Sequence, residues 1–208
     1  RIEEGLFPFI TAAKKARKPI RIGANHGSLS DRILSRYGDT PLGMVESAME
    51  YLRIFQKYDY HDVVVAMKSS DPLVMIEANR LLSSTLERED MDYPIHLGVT
   101  EAGNAEDGRA KSTIGIGTSL LDGIGDTIRV SLTEAPEKEI PVCYSILQAT
   151  HRRITKTEFI SCPSCGRTLF DLETVTNRIK ARLGHMAGLR IAVMGCIVNG
   201  LGEMADAD

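Results

Sequence analysis

Apolar residues follow two alternating rhythms along the first two thirds of the chain. Residues 18–25 (KPIRIGAN) form a short apolar run ending in polar residues, and residues 41–57 carry apolar positions three and four apart, the spacing of a helix with one buried face. Residues 61–70 (HDVVVAMKSS) are a β-branched run, and DPLVMIEANRLLSSTLE (71–87) reads as a helix with Asp71 as N-cap and Pro72 in its first turn. A third strand is expected at YPIHLGVTEAG (93–103) with a small-residue helix near 108–121. A fourth is expected at DTIRVSLT (126–133) with a helix near 137–149. Four strand–helix units in succession imply parallel strands joined by right-handed crossovers.

Strand alternation then selects candidate site residues. Arg21, Gly23 and Asn25 share one face, as do Val64, Ala66 and Lys68; Leu97, Val99 and Glu101; and Thr127, Arg129 and Ser131. Each strand thus offers a polar or charged group near its C-terminal end. That edge carries catalytic groups in (β/α)8 barrels and ligands in open doubly wound sheets. Four units are half of a barrel, and the chain opens on Arg1 rather than Met, so a further stretch is expected upstream.

Beyond residue 150 the pattern changes. THRRITKTE (150–158) reads as a polar, basic linker. A short strand ending at Ile160, the pair Cys162 and Cys165 in SCPSCG, a helix over 171–183 and a strand at 189–195 running into Cys196 form a small α/β unit. Four cysteines are too few for a secreted disulfide scaffold in a chain of 208 residues, and their spacing points to metal or catalysis. A redox disulfide would use Cys162 and Cys165 and leave Cys196 idle. Zinc normally asks for four Cys or His ligands, and Cys196 has no partner pair. An iron–sulfur cluster asks for thiolates, with Glu203 in NGLGE the nearest candidate for a fourth ligand. Plain burial of all three sulfurs is the remaining alternative. Composition narrows the classes: 43% hydrophobic, 25% charged and a net charge of -3 suit a globular protein and argue against a nucleic-acid binder. No apolar run reaches membrane-spanning length.

Several stretches taken together carry a resemblance: RIGANHGS (21–28), MKSSDP (67–72), HLGVTEAG (96–103), DGIGDTIRVSLT (122–133), SCPSCGRTLFDL (161–172) and MGCIVNGLGEMADAD (194–208). In collinear order over essentially the whole chain, they resemble the 4-hydroxy-3-methylbut-2-enyl diphosphate synthase family of the non-mevalonate isoprenoid pathway. The resemblance implies the C-terminal half of a TIM-like (β/α)8 barrel over residues 1–150, binding the substrate diphosphate, then a small α/β [4Fe–4S] cluster domain over 151–208. Members of the family extend past both ends of this chain. The implied cluster ligands are Cys162, Cys165, Cys196 and Glu203. The implied reaction is the two-electron reductive ring opening and dehydration of 2-C-methyl-D-erythritol 2,4-cyclodiphosphate, with electrons from reduced ferredoxin or flavodoxin. A homodimer, in which the cluster domain of one subunit caps the barrel of the other, is also implied, as is a cytoplasmic bacterial or plastid-stromal location. The rival reading is a zinc-stabilised barrel that binds a phosphorylated ligand without redox chemistry.

On this reading Arg21, Lys68 and Arg129 meet the negative charge of the diphosphate, Asn25 and Ser131 add neutral hydrogen bonds, and Asn199 contacts substrate from the cluster domain. Glu101 is expected to donate a proton to the departing hydroxyl, with burial raising its pKa. Glu203 gives way to substrate at the cluster. The family usually reads NGPGE where this chain has NGLGE, so Leu201 should loosen that loop by roughly 0.4–1 kcal/mol. The linker is too short for the extra domain of some relatives. His96 is expected to be a packed structural residue on the face opposite Glu101, Cys143 a core residue, and the GIG at 115–117 a site of close helix packing rather than a phosphate loop. His26 remains a candidate for the pocket wall.

Overall fold

A computed structural model describes residues 2–208, except for the side chains of Asn199, Leu201 and Glu203. The chain divides into two compact units, Arg1–Thr150 and His151–Asp208.

The first unit opens with helix α1 (Ile2–Ala16), followed by strand β1 (Ile20–Asn25), α2 (Asp31–Tyr37), α3 (Pro41–Lys57), β2 (Val63–Lys68), α4 (Pro72–Arg88), β3 (His96–Leu97), α5 (Ala105–Leu121), β4 (Thr127–Ile128) and α6 (Glu139–Ala149). Helix α3 forms as its sequence dictates. Thr40 caps it by accepting from the Gly43 N–H at 3.1 Å, Pro41 fills a first-turn position, and Met44, Val45, Ala48, Met49, Leu52 and Phe55 make the buried stripe. Helix α4 starts as the sequence implies, with the Asp71 carboxylate accepting from Leu73 N–H at 2.9 Å ahead of Pro72. Burying a side chain such as Leu52 stabilises the fold by about 1.5–3 kcal/mol.

Strands β1 and β2 pair in parallel from Ile20↔Val63 to Asn25↔Lys68, and β3 and β4 pair over His96↔Thr127 and Leu97↔Ile128. A single parallel bridge, Val65↔Ile95, joins the two pairs into the order β1-β2-β3-β4. The array is open, and no closed barrel forms among the described residues. Two expected strands are much shorter than their apolar runs. β3 and β4 keep a regular ladder for two residues each, because the Asp126 carboxylate takes the Ile95 N–H at 2.8 Å and the chain turns away after Gly98. GIG lies inside α5, where a Cβ at Gly115 would come within 2.6 Å of Val99 Cγ2 and 3.3 Å of Met75 Sδ, so close packing does account for it. Cys143 is half-buried against the core.

The second unit contains β5 (Glu158–Ser161), α7 (Leu172–Leu183), β6 (Arg190–Val193) and α8 (Ile197–Glu203). β5 and β6 pair in parallel, with Ser161 opposite Val193. Asp171 caps α7 by accepting from Thr174 N–H at 3.0 Å. Thr157 ties the start of this unit to the end of α7 and beyond by donating its hydroxyl to the carbonyls of Leu183 and Met186.

Candidate functional site

Register decides which side chains of the first unit share a face. Residues paired in a parallel ladder point to the same side, and neighbours along a strand alternate. One face therefore carries Arg21, Gly23 and Asn25 from β1, Val64, Ala66 and Lys68 from β2, His96 from β3 and Thr127 from β4. Continuing the alternation adds Gly98 and Arg129. The opposite face, with Val63, Val65, Met67, Ile95 and Leu97, is buried in the core.

Three of the expected substrate residues are brought together electrostatically. Burial pushes the Lys68 ammonium below its usual range, and the charges of Arg21 and Arg129 push it further. Among the described residues none of the three has an acidic partner. At 4 Å, each unpaired cation would gain about 4 kcal/mol from an anion in a partly screened site. Gly98 lets the two chains approach closely beside these cations: a Cβ there would lie 3.0 Å from Arg129 O, with Lys68 Cε and Nζ in ordinary contact at 3.7 Å. Asn25 lies beside Lys68 at the strand ends. Ser131 lies past β4 and joins them by alternation alone.

Two expectations about β3 need correction. Leu97 and Val99 belong to the buried side: Leu97 is fully buried in the core, and Val99 packs towards Gly115 of α5. Glu101 thus shares no strand face with them. It sits past β3 with a backbone φ of 52° and an exposed side chain, so the core does not enclose it here. His96 is buried, as expected, yet it lies on the same face as the cations. Its Nδ1 is 2.8 Å from Thr127 Oγ1 and its buried Nε2 has no partner among the described residues. Burial, then the charges of Lys68, Arg21 and Arg129, push the ring down to about 4. The usable signal was that His96 is the one polar residue in PIHLGV, which marks the parity of the open face. His26 is occupied outside this group, 3.7 Å from the Asp39 carboxylate.

In the second unit the three cysteines border one cavity of about 120 Å3, together with Pro163, Ser164, Arg167, Met194 and Gly195. Parallel pairing of β5 and β6 brings the two cysteine-bearing strand ends to one edge. Gly195 N–H donates to Cys162 Sγ at 3.2 Å. A Cβ on Gly195 would overlap Thr168 and crowd that sulfur, so only glycine fits this cradle. The Arg167 backbone N–H, then its guanidinium, hold the Cys165 thiol below its usual range, and the guanidinium also reaches Cys196. Hydrogen-bond donors at all three sulfurs, with Cys165 exposed, suit an iron–sulfur cluster better than a set of inert buried thiols. The described side chains do not converge tightly enough to make a metal site by themselves. The side chains of Glu203 and Asn199 lie outside the described residues.

Comparison with known proteins adds the family. The GcpE TIM-barrel domain matches residues 3–144 and the GcpE protein C-terminal domain matches residues 158–208. The chain belongs to the GcpE family. GcpE relatives named 4-hydroxy-3-methylbut-2-en-1-yl diphosphate synthase (ferredoxin) include those of Prochlorococcus marinus strain MIT 9313, 61% identical over 208 residues, and Picosynechococcus sp. strain PCC 7002, 60% identical over 208 residues. Each match covers 100% of this chain and 51% of the relative, so the chain spans about half the length of the curated relatives it matches. The cationic face falls within the first GcpE match and the sulfur cavity within the second. No helix among the described residues is long and apolar enough to cross a membrane.

Proposed function

We propose that this chain carries the reactive part of a 4-hydroxy-3-methylbut-2-en-1-yl diphosphate synthase. That enzyme opens 2-C-methyl-D-erythritol 2,4-cyclodiphosphate reductively, with loss of water, to give (E)-4-hydroxy-3-methylbut-2-enyl diphosphate. The observation that carries the reading is the sulfur cavity: in a GcpE chain, three cysteines from two separate strand ends border one space. When bound, a [4Fe–4S] cluster supplies a path for two electrons and a Lewis-acidic iron. Cys162, Cys165 and Cys196 would hold it, with Glu203 as fourth ligand on the family resemblance.

The chain's own residues do the rest. Arg21, Lys68 and Arg129 bind the diphosphate and relieve their mutual repulsion as they do so. Asn25 and Ser131 orient it with neutral hydrogen bonds, and Asn199 is assigned to substrate on resemblance. Glu101 donates the proton that leaves with the hydroxyl. Because its side chain is exposed, bound substrate rather than the protein core must desolvate it. Reduced ferredoxin, the donor in the relatives' names, or flavodoxin delivers the electrons, and on the family resemblance the working form is a homodimer.

Intact protein purified without oxygen is expected to be brown, with about four irons and four acid-labile sulfides per chain. Cys196→Ala should lose the iron and lower turnover by more than the roughly 10–100-fold cost of an outer-shell change. Colourless zinc-containing protein, or full iron in Cys196→Ala, overturns the reading.

A further inference from the structure

The open face of the first unit has layers. Asn25, Lys68, Gly98 and Arg129 form the upper one, towards the strand C-termini, and Gly23, Ala66, His96 and Thr127 lie one step below. In this lower layer Gly23 and Ala66 offer no polar side-chain atom. His96 does: the residue is 8% exposed, and Nε2 is closed to solvent without a hydrogen-bond partner among the described residues. Directly above it on the same strand face stands Gly98, and the flexible end of Lys68 lies over that glycine, its Cε and Nζ 3.7 Å from where a Cβ would stand.

We propose that His96 is a substrate-contacting residue of the anion pocket, its Nε2–H donating to a diphosphate oxygen while Thr127 Oγ1–H holds Nδ1. This rests on the diphosphate reading given above. A buried ring nitrogen left unpaired in a native site calls for an explanation. The charged groups facing it, Lys68, Arg21 and Arg129, are donors only. If Nε2 carried a lone pair, the flexible Lys68 ammonium, the strongest charge acting on the ring, could bond to it, yet no such bond forms. An N–H within the field of these cations is instead satisfied by the anion those cations collect. Thr127 Oγ1, 2.8 Å from Nδ1, has a hydroxyl proton to give and so accommodates this tautomer. Burial and the surrounding cations keep the ring neutral, with one N–H for the ligand.

The test is calorimetric titration of the intact protein with inorganic diphosphate, paired with nitrogen-15 NMR of the histidine side chains. His96→Phe should weaken binding about ten- to a hundredfold, the cost of losing a hydrogen bond to a charged group. His96→Gln, whose amide nitrogen can replace Nε2–H, should recover most of that loss. Thr127→Val should weaken binding severalfold alone and add nothing to His96→Phe. In turnover the loss should fall on KM rather than kcat. In the unaltered protein, Nε2 should show as a protonated nitrogen whose signal moves with diphosphate, a readout that stands even if His96→Phe fails to fold. Wild-type affinity in a folded His96→Phe, or an Nε2 signal of a bare nitrogen indifferent to diphosphate, overturns the proposal while leaving the parent reading intact. Unaltered, iron-loaded protein that binds no diphosphate overturns the parent reading.

Discussion

The two units achieve order by different means. In the first, Met44, Met49, Leu52, Val65, Met75 and Leu82 are all fully buried, and the cationic face is the back of strands clamped by that core. In the second, only Leu172 and Val193 are buried among its described large apolar side chains, while Leu169 is 95% exposed and Ile197, beside Cys196, is 80% exposed. Close packing holds side chains in fixed rotamers, and a small unit with few buried contacts lacks that constraint. The contrast suits the chemistry assigned to each. A diphosphate can be met by groups already in place, whereas sulfurs that ligate a cluster gain their final order from it, so that binding energy becomes folding energy.

The largest effect that would expose this contrast is cluster removal. Anaerobic chelation of the intact protein should strip protection from hydrogen exchange along β5, β6 and α7 and leave α3 and β2 protected. Equal protection before and after would dissolve the distinction. The reverse probe is Leu52→Ala, expected to cost about 2–5 kcal/mol in the unfolding of the first unit and to leave iron content unchanged. A loss of iron in that variant would show the units to be coupled in stability.

Acid supplies a smaller probe of the first unit. His96 stays neutral in the folded chain down to about 4, whereas the unfolded chain protonates near 6.5. Its contribution is complete above pH 6.5 and fades as the pH falls towards 4, reaching about 3 kcal/mol in total. Denaturation midpoints at pH 7 and pH 4.5 should therefore separate by less in His96→Gln than in the unaltered protein. Equal separations would mean that the ring is not held neutral by its surroundings.

Residue pattern alone placed α3 and α4 well, because Thr40, Pro41, Asp71 and Pro72 are local signals that no tertiary contact overrode. Helix α1 was harder to see, since Gly5 and Pro8 interrupt its pattern. Helix α8 was hidden by two glycines and an asparagine. The cationic trio was legible because Lys68 ends an apolar run and Arg21 and Arg129 each interrupt one at a position that alternation assigns to a single face. The face of β3 was harder to read: His96 and Leu97 are both buried, so alternation shows no contrast in burial between the two parities, and the lone polar His96 was the one hint. Only the Val65↔Ile95 bridge, a long-range fact, settles it. The cysteine pair and Cys196 were readable as a set, but the Gly195 cradle and the Arg167 guanidinium between two sulfurs required the paired strands.

Glu101 holds a left-handed backbone that a non-glycine residue adopts at an energetic penalty of order 1–3 kcal/mol. Glycine there would ease the chain and, by the same change, remove the carboxyl group. Anyone breeding a hardier version of this protein by selecting on heat resistance alone would be steered towards that exchange, and would harvest a tougher scaffold without an acid.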